Sequence, residues 1–151
     1  MPNNRNTPIV ILVAEDDAED QMLVKEAMEE SRLSNHIHFV SDGEELLAYL
    51  RHEGPYADIR QYPHPGLILL DLNMPRKDGR EAMKEIKTDP KLRVIPIVVL
   101  TTSKAEEDVL RTYDLGVNSF ITKPVSFSSL VNVMRTLGKY WFEIVELPIG
   151  R

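Results

Sequence analysis

The sequence predicts an α/β fold: a doubly wound, five-stranded parallel sheet with helices on both faces. Three observations carry that prediction. The runs "IVILVA" (9–14), "LILL" (67–70) and "IPIVVL" (95–100) are apolar without alternation, as strands covered on both faces must be. Amphipathic patterns fall between the runs at spacings that suit strand–helix–strand units. Strand and helix alternate along most of the chain, and right-handed crossovers then wind the helices onto both faces.

Each element has its own justification. The lead "MPNNRNTP" (1–8) is polar and carries proline, so it is expected to be disordered. The domain proper is expected over 9–138. After the first strand, "EDQMLVKEAMEE" (19–30) sets Met22, Leu23, Ala27 and Met28 along one stripe. "HIHFV" (36–40) is a weaker strand. "EELLAYL" (44–50) is a helix, with Ser41 and Glu44 at capping-box spacing. The connection at 51–66 is long and holds three prolines, and it is expected to be an ordered surface loop. The "LILL" strand follows, then "GREAMKEIK" (79–87), stopped by Asp89-Pro90. After the fourth strand, Ser103 and Glu106 cap "AEEDVLRTYDL" (105–115), which ends at Gly116. "SFIT" (119–122) is the fifth strand, and a last helix should start near Ser126. The usual five-strand solution is the flavodoxin-like order 2-1-3-4-5.

Composition narrows the function. The chain has 151 residues, a net charge of −6, no cysteine and 42% hydrophobic residues. The net charge opposes a phosphate backbone, so no nucleic-acid partner is expected. No apolar stretch is long enough to span a bilayer and no signal-peptide pattern is present. The lack of cysteine suits a cytoplasmic location.

In open α/β sheets ligands sit beyond the carboxyl ends of the strands. Glu15, Asp16 and Asp17 follow the first strand. Asp71 ends the third, with Asn73 beyond it. Thr101 and Thr102 end the fourth, and Lys123-Pro124 the fifth. Crowded carboxylates repel one another unless a cation intervenes. Oxygen ligands without cysteine or a placed histidine favour a hard ion, and Mg²⁺ fits best because it leaves room for phosphate oxygens. An Asp beside such an ion can attack a phosphoryl group. Lys123 can pair with the transferred oxyanions, and the Thr101 hydroxyl can bond to one. Asp17 is expected to be a helix N-cap. His36, His38, His52 and His64 are expected to be surface or half-buried polar residues, not a metal set.

With "VAEDD", "LLDLNMPRKDG", "VVLTTS" and "FITKP" in this order, the chain resembles the receiver domain of two-component response regulators over about residues 9–137. The resemblance implies that Asp71 accepts a phosphoryl group from a sensor histidine kinase. It implies that Asp16 and Asp71 bind Mg²⁺ directly with the Asn73 carbonyl, and that Glu15 acts through a metal-bound water. Thr101 and Phe120 match the family's switch pair. The Thr102 backbone N–H would face the phosphoryl group, and Thr102 is larger than the Ala common there. The long 51–66 connection, "VLTTS" and the tail "LGKYWFEIVELP" resemble the single-domain regulators that serve phytochrome-type kinases.

The segment after Lys123 has room for one helix and a tail, so signalling by docking, by dimerising or by passing the phosphoryl group on is expected rather than turnover of a substrate. The apolar extension at 139–151, with Tyr140, Trp141, Phe142 and Ile144, reads as a homodimer contact. A phosphohydrolase of the haloacid-dehalogenase type is the alternative. It wants a second Asp two residues after the first, where this chain has Asn73, and usually a cap domain. No P-loop is present, since Gly138-Lys139 is followed by Tyr140.

Overall fold

The computed structural model describes residues 9–30, 36–74, 76, 77, 79–101 and 119–122, and the helical positions 128, 130–132, 134 and 135. The elements are β1 (Ile11–Ala14), α1 (Ala18–Glu30), β2 (Ile37–Val40), α2 (Gly43–Arg51), β3 (Leu67–Asp71), α3 (Gly79–Thr88), β4 (Ile97–Thr101) and β5 (Ser119–Thr122). The five strands form one parallel sheet in the order β2-β1-β3-β4-β5. This is the predicted order.

The apolar runs are continuous because both faces of the sheet are covered. Leu12, Ala14, Ile68, Leu70, Ile97 and Val99 point to one side, where they pack with Leu46, Leu50, Ala82, Met83 and Ile86 of α2 and α3. Ile11, Val13, Leu67, Leu69, Val98 and Leu100 point to the other side. There they meet Val24, Ala27 and Met28 of α1, and Leu130, Val131 and Met134. Alternate side chains thus feed two separate cores.

Two expectations about the helices need correction. The stripe of α1 is Val24, Ala27 and Met28, whereas Met22 is 56% exposed. Helical spacing from Ala27 and Met28 leads back to Val24, and Met22 falls outside that arc. The N-cap of α2 is Asp42, not Ser41: Asp42 Oδ1 accepts from the Glu45 N–H at 2.8 Å. Glu45 Oε1 in turn accepts from the Ser41 N–H at 2.6 Å. The cap sits one residue later than expected, and the returning Glu45 bond reaches the residue before the cap. Asp17 caps α1 as expected, taking the Glu19 and Asp20 N–H groups on Oδ1.

The connection at 51–66 is ordered. It starts where His52 ends α2 in the left-handed region (φ 55°), and it includes a 3₁₀ turn at Gly54–Tyr56. Tyr49, Tyr56 and Tyr62 form a ring cluster with centroids 4.9 to 5.7 Å apart. The Tyr49 hydroxyl donates to the Pro63 carbonyl at 2.9 Å, and His52 Nε2 donates to the Tyr62 carbonyl at 2.9 Å. His38 packs on Tyr49 and Tyr62, and His52 on His64. The four histidines therefore form a half-buried and surface set, as expected. The lead at 1–8, the 105–115 helix with its Ser103 and Glu106 box, and the extension at 139–151 lie outside the described residues.

Candidate functional site

Strand register builds the site. Ala14 pairs with Leu70 and Asp71 with Leu100. The residue after Ala14, Glu15, therefore comes level with Asp71 across the two central strands. The ladder continues past both ends, since Glu15 N–H donates to the Val40 carbonyl at 2.9 Å and Leu72 N–H to the Leu100 carbonyl at 3.3 Å. Two carboxylates thus stand side by side on rigid backbone.

Glu15 is 0% exposed and Asp71 is 3% exposed, while Asp16 faces solvent. One oxygen from each of Glu15, Asp16 and Asp71 can be chosen so that all three lie within 4.8 Å of one another. Among the described residues this is the set of three acidic or imidazole side chains able to share one ion. The histidines form no such set. An all-oxygen donor set at this separation fits a small, hard divalent cation better than a softer one. The exposed carboxylate, Asp16, leaves the site open on one side for water and substrate oxygens.

Local bonds hold these groups in place. Glu15 Oε2 accepts from the Asp17 N–H at 3.1 Å, and Gln21 Nε2 donates to the Glu15 carbonyl at 2.5 Å. Asp71 Oδ1 accepts from the Asn73 N–H at 3.0 Å, so the turn after β3 orients the carboxylate. That turn closes tightly. Gly79 N–H donates to the Leu72 carbonyl at 3.0 Å, and a Cβ on Gly79 would lie 2.5 Å from the Asp71 carbonyl oxygen. Glycine is required there for close approach, which brings the start of α3 against the end of β3.

β4 ends on Thr101, which pairs with Thr122 of β5, and Phe120 pairs with Val99 inside β5. The backbone therefore places Thr101 at the same edge as Asp71. The Thr101 and Phe120 side chains, Thr102 and Lys123-Pro124 lie outside the described residues. No helix among the described residues is long and apolar enough to cross a membrane.

The chain matches the response regulator receiver domain family over residues 11–135. It belongs to that family. The receiver is 42% identical over 148 residues to the response regulator Rcp1 of Synechocystis sp., covering 98% of this chain and 99% of that protein. Its fold is similar to that of the phosphorylated cyanobacterial phytochrome response regulator RcpA, with a TM-score of 0.78 and 44% identity. That match covers 91% of this chain and 96% of the other. It is also similar to the Mn²⁺-bound form of Rcp1, with a TM-score of 0.76, 42% identity and the same coverage. Phosphorylation-based signalling is the family's function, and the comparisons give no support to the phosphohydrolase alternative.

The three carboxylates were legible in the sequence; Gln21, which bonds to the Glu15 carbonyl, was not, and neither was the Asp42 cap. Asp42 was passed over for Ser41, although Asp42 and Glu45 have the same capping spacing.

Proposed function

We propose that this receiver takes a phosphoryl group on Asp71 from a sensor histidine kinase and changes its association with a partner as a result. The observation that carries the reading is the convergence of Glu15, Asp16 and the buried Asp71 on one shared position at the strand ends. Asp16 and Asp71, with the Asn73 carbonyl, would hold Mg²⁺ directly, and Glu15 would act through a water. When bound, the ion would neutralise the carboxylates and the oxygens of the incoming phosphoryl group.

An Asp71 oxygen attacks phosphorus in line, the phosphorus–nitrogen bond of the kinase phosphohistidine breaks, and the imidazole leaves with the electron pair. Asp71 is held for this by the Asn73 N–H and by its rigid strand. Lys123 pairs with the phosphoryl oxygens, and the Thr102 backbone N–H and the Thr101 hydroxyl donate to them. The new group carries about −1.5 to −2 charges. Thr101 moves toward it and Phe120 turns into the space Thr101 leaves, which shifts an existing two-state equilibrium. These roles for Thr101, Thr102, Phe120 and Lys123 rest on the resemblance of "VVLTTS" and "FITKP" to the family's motifs.

The receiver acts as a cytoplasmic signalling protein, not as a turnover enzyme, and binds no nucleic acid. Similarity to phytochrome response regulators supports a phytochrome-type kinase as the partner. The domain spans 9–138 after a short lead at 1–8, and the apolar extension at 139–151 makes a homodimer contact. Incubation with a small phosphodonor and Mg²⁺, followed by intact mass, tests the acceptor. The wild type should gain one phosphoryl group and Asp71→Asn none; an adduct that persists in the variant sinks the assignment. Light scattering of a chain truncated after Leu137 tests the dimer, which should be lost.

A further inference from the structure

Arg76 lies in the left-handed region with φ 60°, a conformation that costs an ordinary residue about 1–2 kcal/mol. Such strained residues persist where their surroundings fix them, and they gather at functional sites. Here the surroundings are the first residues of α2.

We propose that Asp42 is a positioning residue for the metal and acceptor site, acting through Arg76 and the turn rather than by touching the ion. The inference rests on the reading of Asp71 and its neighbours as the Mg²⁺ and acceptor site. Asp42 is buried, and it divides its two oxygens. Oδ1 caps α2 through the Glu45 N–H, and Oδ2 pairs with Arg76 Nη1 at 3.4 Å. The next residue makes a second tie, since Gly43 N–H donates to the Lys77 carbonyl at 2.8 Å. A side chain at 43 would overlap that carbonyl, so glycine is what lets the two segments meet. Lys77 also pairs with Glu85 on α3.

The turn is therefore fixed at Asn73 on Asp71, at Arg76 and Lys77 on α2, and at Gly79 on Leu72. The α2 contacts come from outside the β3–α3 unit, as does the Leu100 carbonyl of β4 that takes the Leu72 N–H. Without the Arg76 pair, the strained residue has lost the charge that holds it, and relaxation of the turn moves the Asn73 N–H and carbonyl. Asn73 in turn sets the orientation of Asp71. The chain of effects runs from a helix cap to the acceptor carboxylate.

The test is calorimetric titration of Mg²⁺ into the full chain, with the Asn73 amide resonance of the metal-free protein as a second readout. Arg76 is 70% exposed at its side chain, so Arg76→Gln removes the pair with little effect on packing. Asp42→Ser also removes the pair while keeping an N-cap acceptor, so its thermal midpoint should stay close to that of the wild type. Both variants are expected to bind Mg²⁺ about two- to fivefold more weakly, the upper end of what loss of an ion pair with one exposed partner allows. Both should shift the Asn73 amide, and Arg76→Lys should restore wild-type behaviour. A role confined to folding would lower the midpoint of Asp42→Ser and leave Mg²⁺ affinity and the Asn73 amide of Arg76→Gln unchanged. That result overturns the proposal, as does weaker binding with an unmoved amide. Should Asp42→Ser fail to fold, the two Arg76 variants decide alone. A wild type that binds Mg²⁺ and responds to these variants but forms no phosphoryl adduct removes the acceptor reading and leaves the clamp standing.

Discussion

Burial between Tyr49 and Tyr62, with His36 adding a smaller push, holds the His38 imidazole below its ordinary value of 6.5. The folded protein therefore resists protonation there, and the unfolded chain takes up the proton first. Stability contributed by neutral His38 is full above pH 6.5 and falls as pH drops from 6.5 to the lowered folded value. His64, lowered by burial and by His52, acts in the same direction. Replacing His38 with Phe keeps a ring against the tyrosines and removes the titration. Thermal midpoints compared at about pH 7.5 and 5.5 should fall less in His38→Phe than in the wild type, because one linked proton is gone. An equal fall in both proteins would show that His38 does not titrate in this window. Little of this was legible beforehand. The sequence places His38 on a weak strand, but its tyrosine neighbours come from α2 and the long connection, and only folding brings them together.

At the scale of the element, the strands were legible because each apolar run is buried on both sides and has no face to lose. Helices were less so. A stripe on a helix depends on a phase, and α1 carries apolar residues on more than one arc, Met22 on one and Val24 on another. Val24 wins because it shares an arc with Ala27 and Met28. The Asp42 cap was misplaced by one residue for a similar reason, since Ser and Asp are both good N-caps and stand side by side. The left-handed Arg76 had no signal at all, because arginine has no preference for that region. α2 also anchors the long connection. Burial pushes the Tyr49 phenol up to about 12, so its hydroxyl stays a donor to the Pro63 carbonyl. Tyr49→Phe should cost about 1 kcal/mol in denaturant unfolding. Hydrogen exchange should quicken across 53–64 while β3 stays protected. Uniform protection in the variant would show that the ring cluster, not this bond, secures the connection.

Over the whole molecule, the site is a meeting of β1 and β3 at one edge, and that meeting was legible from element order alone. Once the sheet order is 2-1-3-4-5, the residues after "ILVA" and the last residue of "LILLD" must be neighbours. What the order could not supply was the difference between Glu15, Asp16 and Asp71 in exposure, which depends on the pairing register and on the turn after β1. Three carboxylates held this close oppose folding unless a cation joins them. Mg²⁺ at about one hundred times its dissociation constant should therefore stabilise the receiver by about 2.7 kcal/mol. The gain should appear as a raised thermal midpoint and should shrink sharply in Asp16→Asn. A midpoint insensitive to Mg²⁺ in the wild type would mean that the cluster does not hold the ion.

Among the described residues, the two cores on either side of the sheet share no side chain. The turn that carries Asp71's support leans on the α2 side, through Asp42 and Gly43. The α1 side packs its own set of residues against the opposite face. Heritable change can thus accumulate in one layer without retuning the other. A substitution on the outer surface of α1 that leaves Asp17 and Gln21 in place therefore keeps the scaffold of the acceptor turn, which is held from the far side of the sheet.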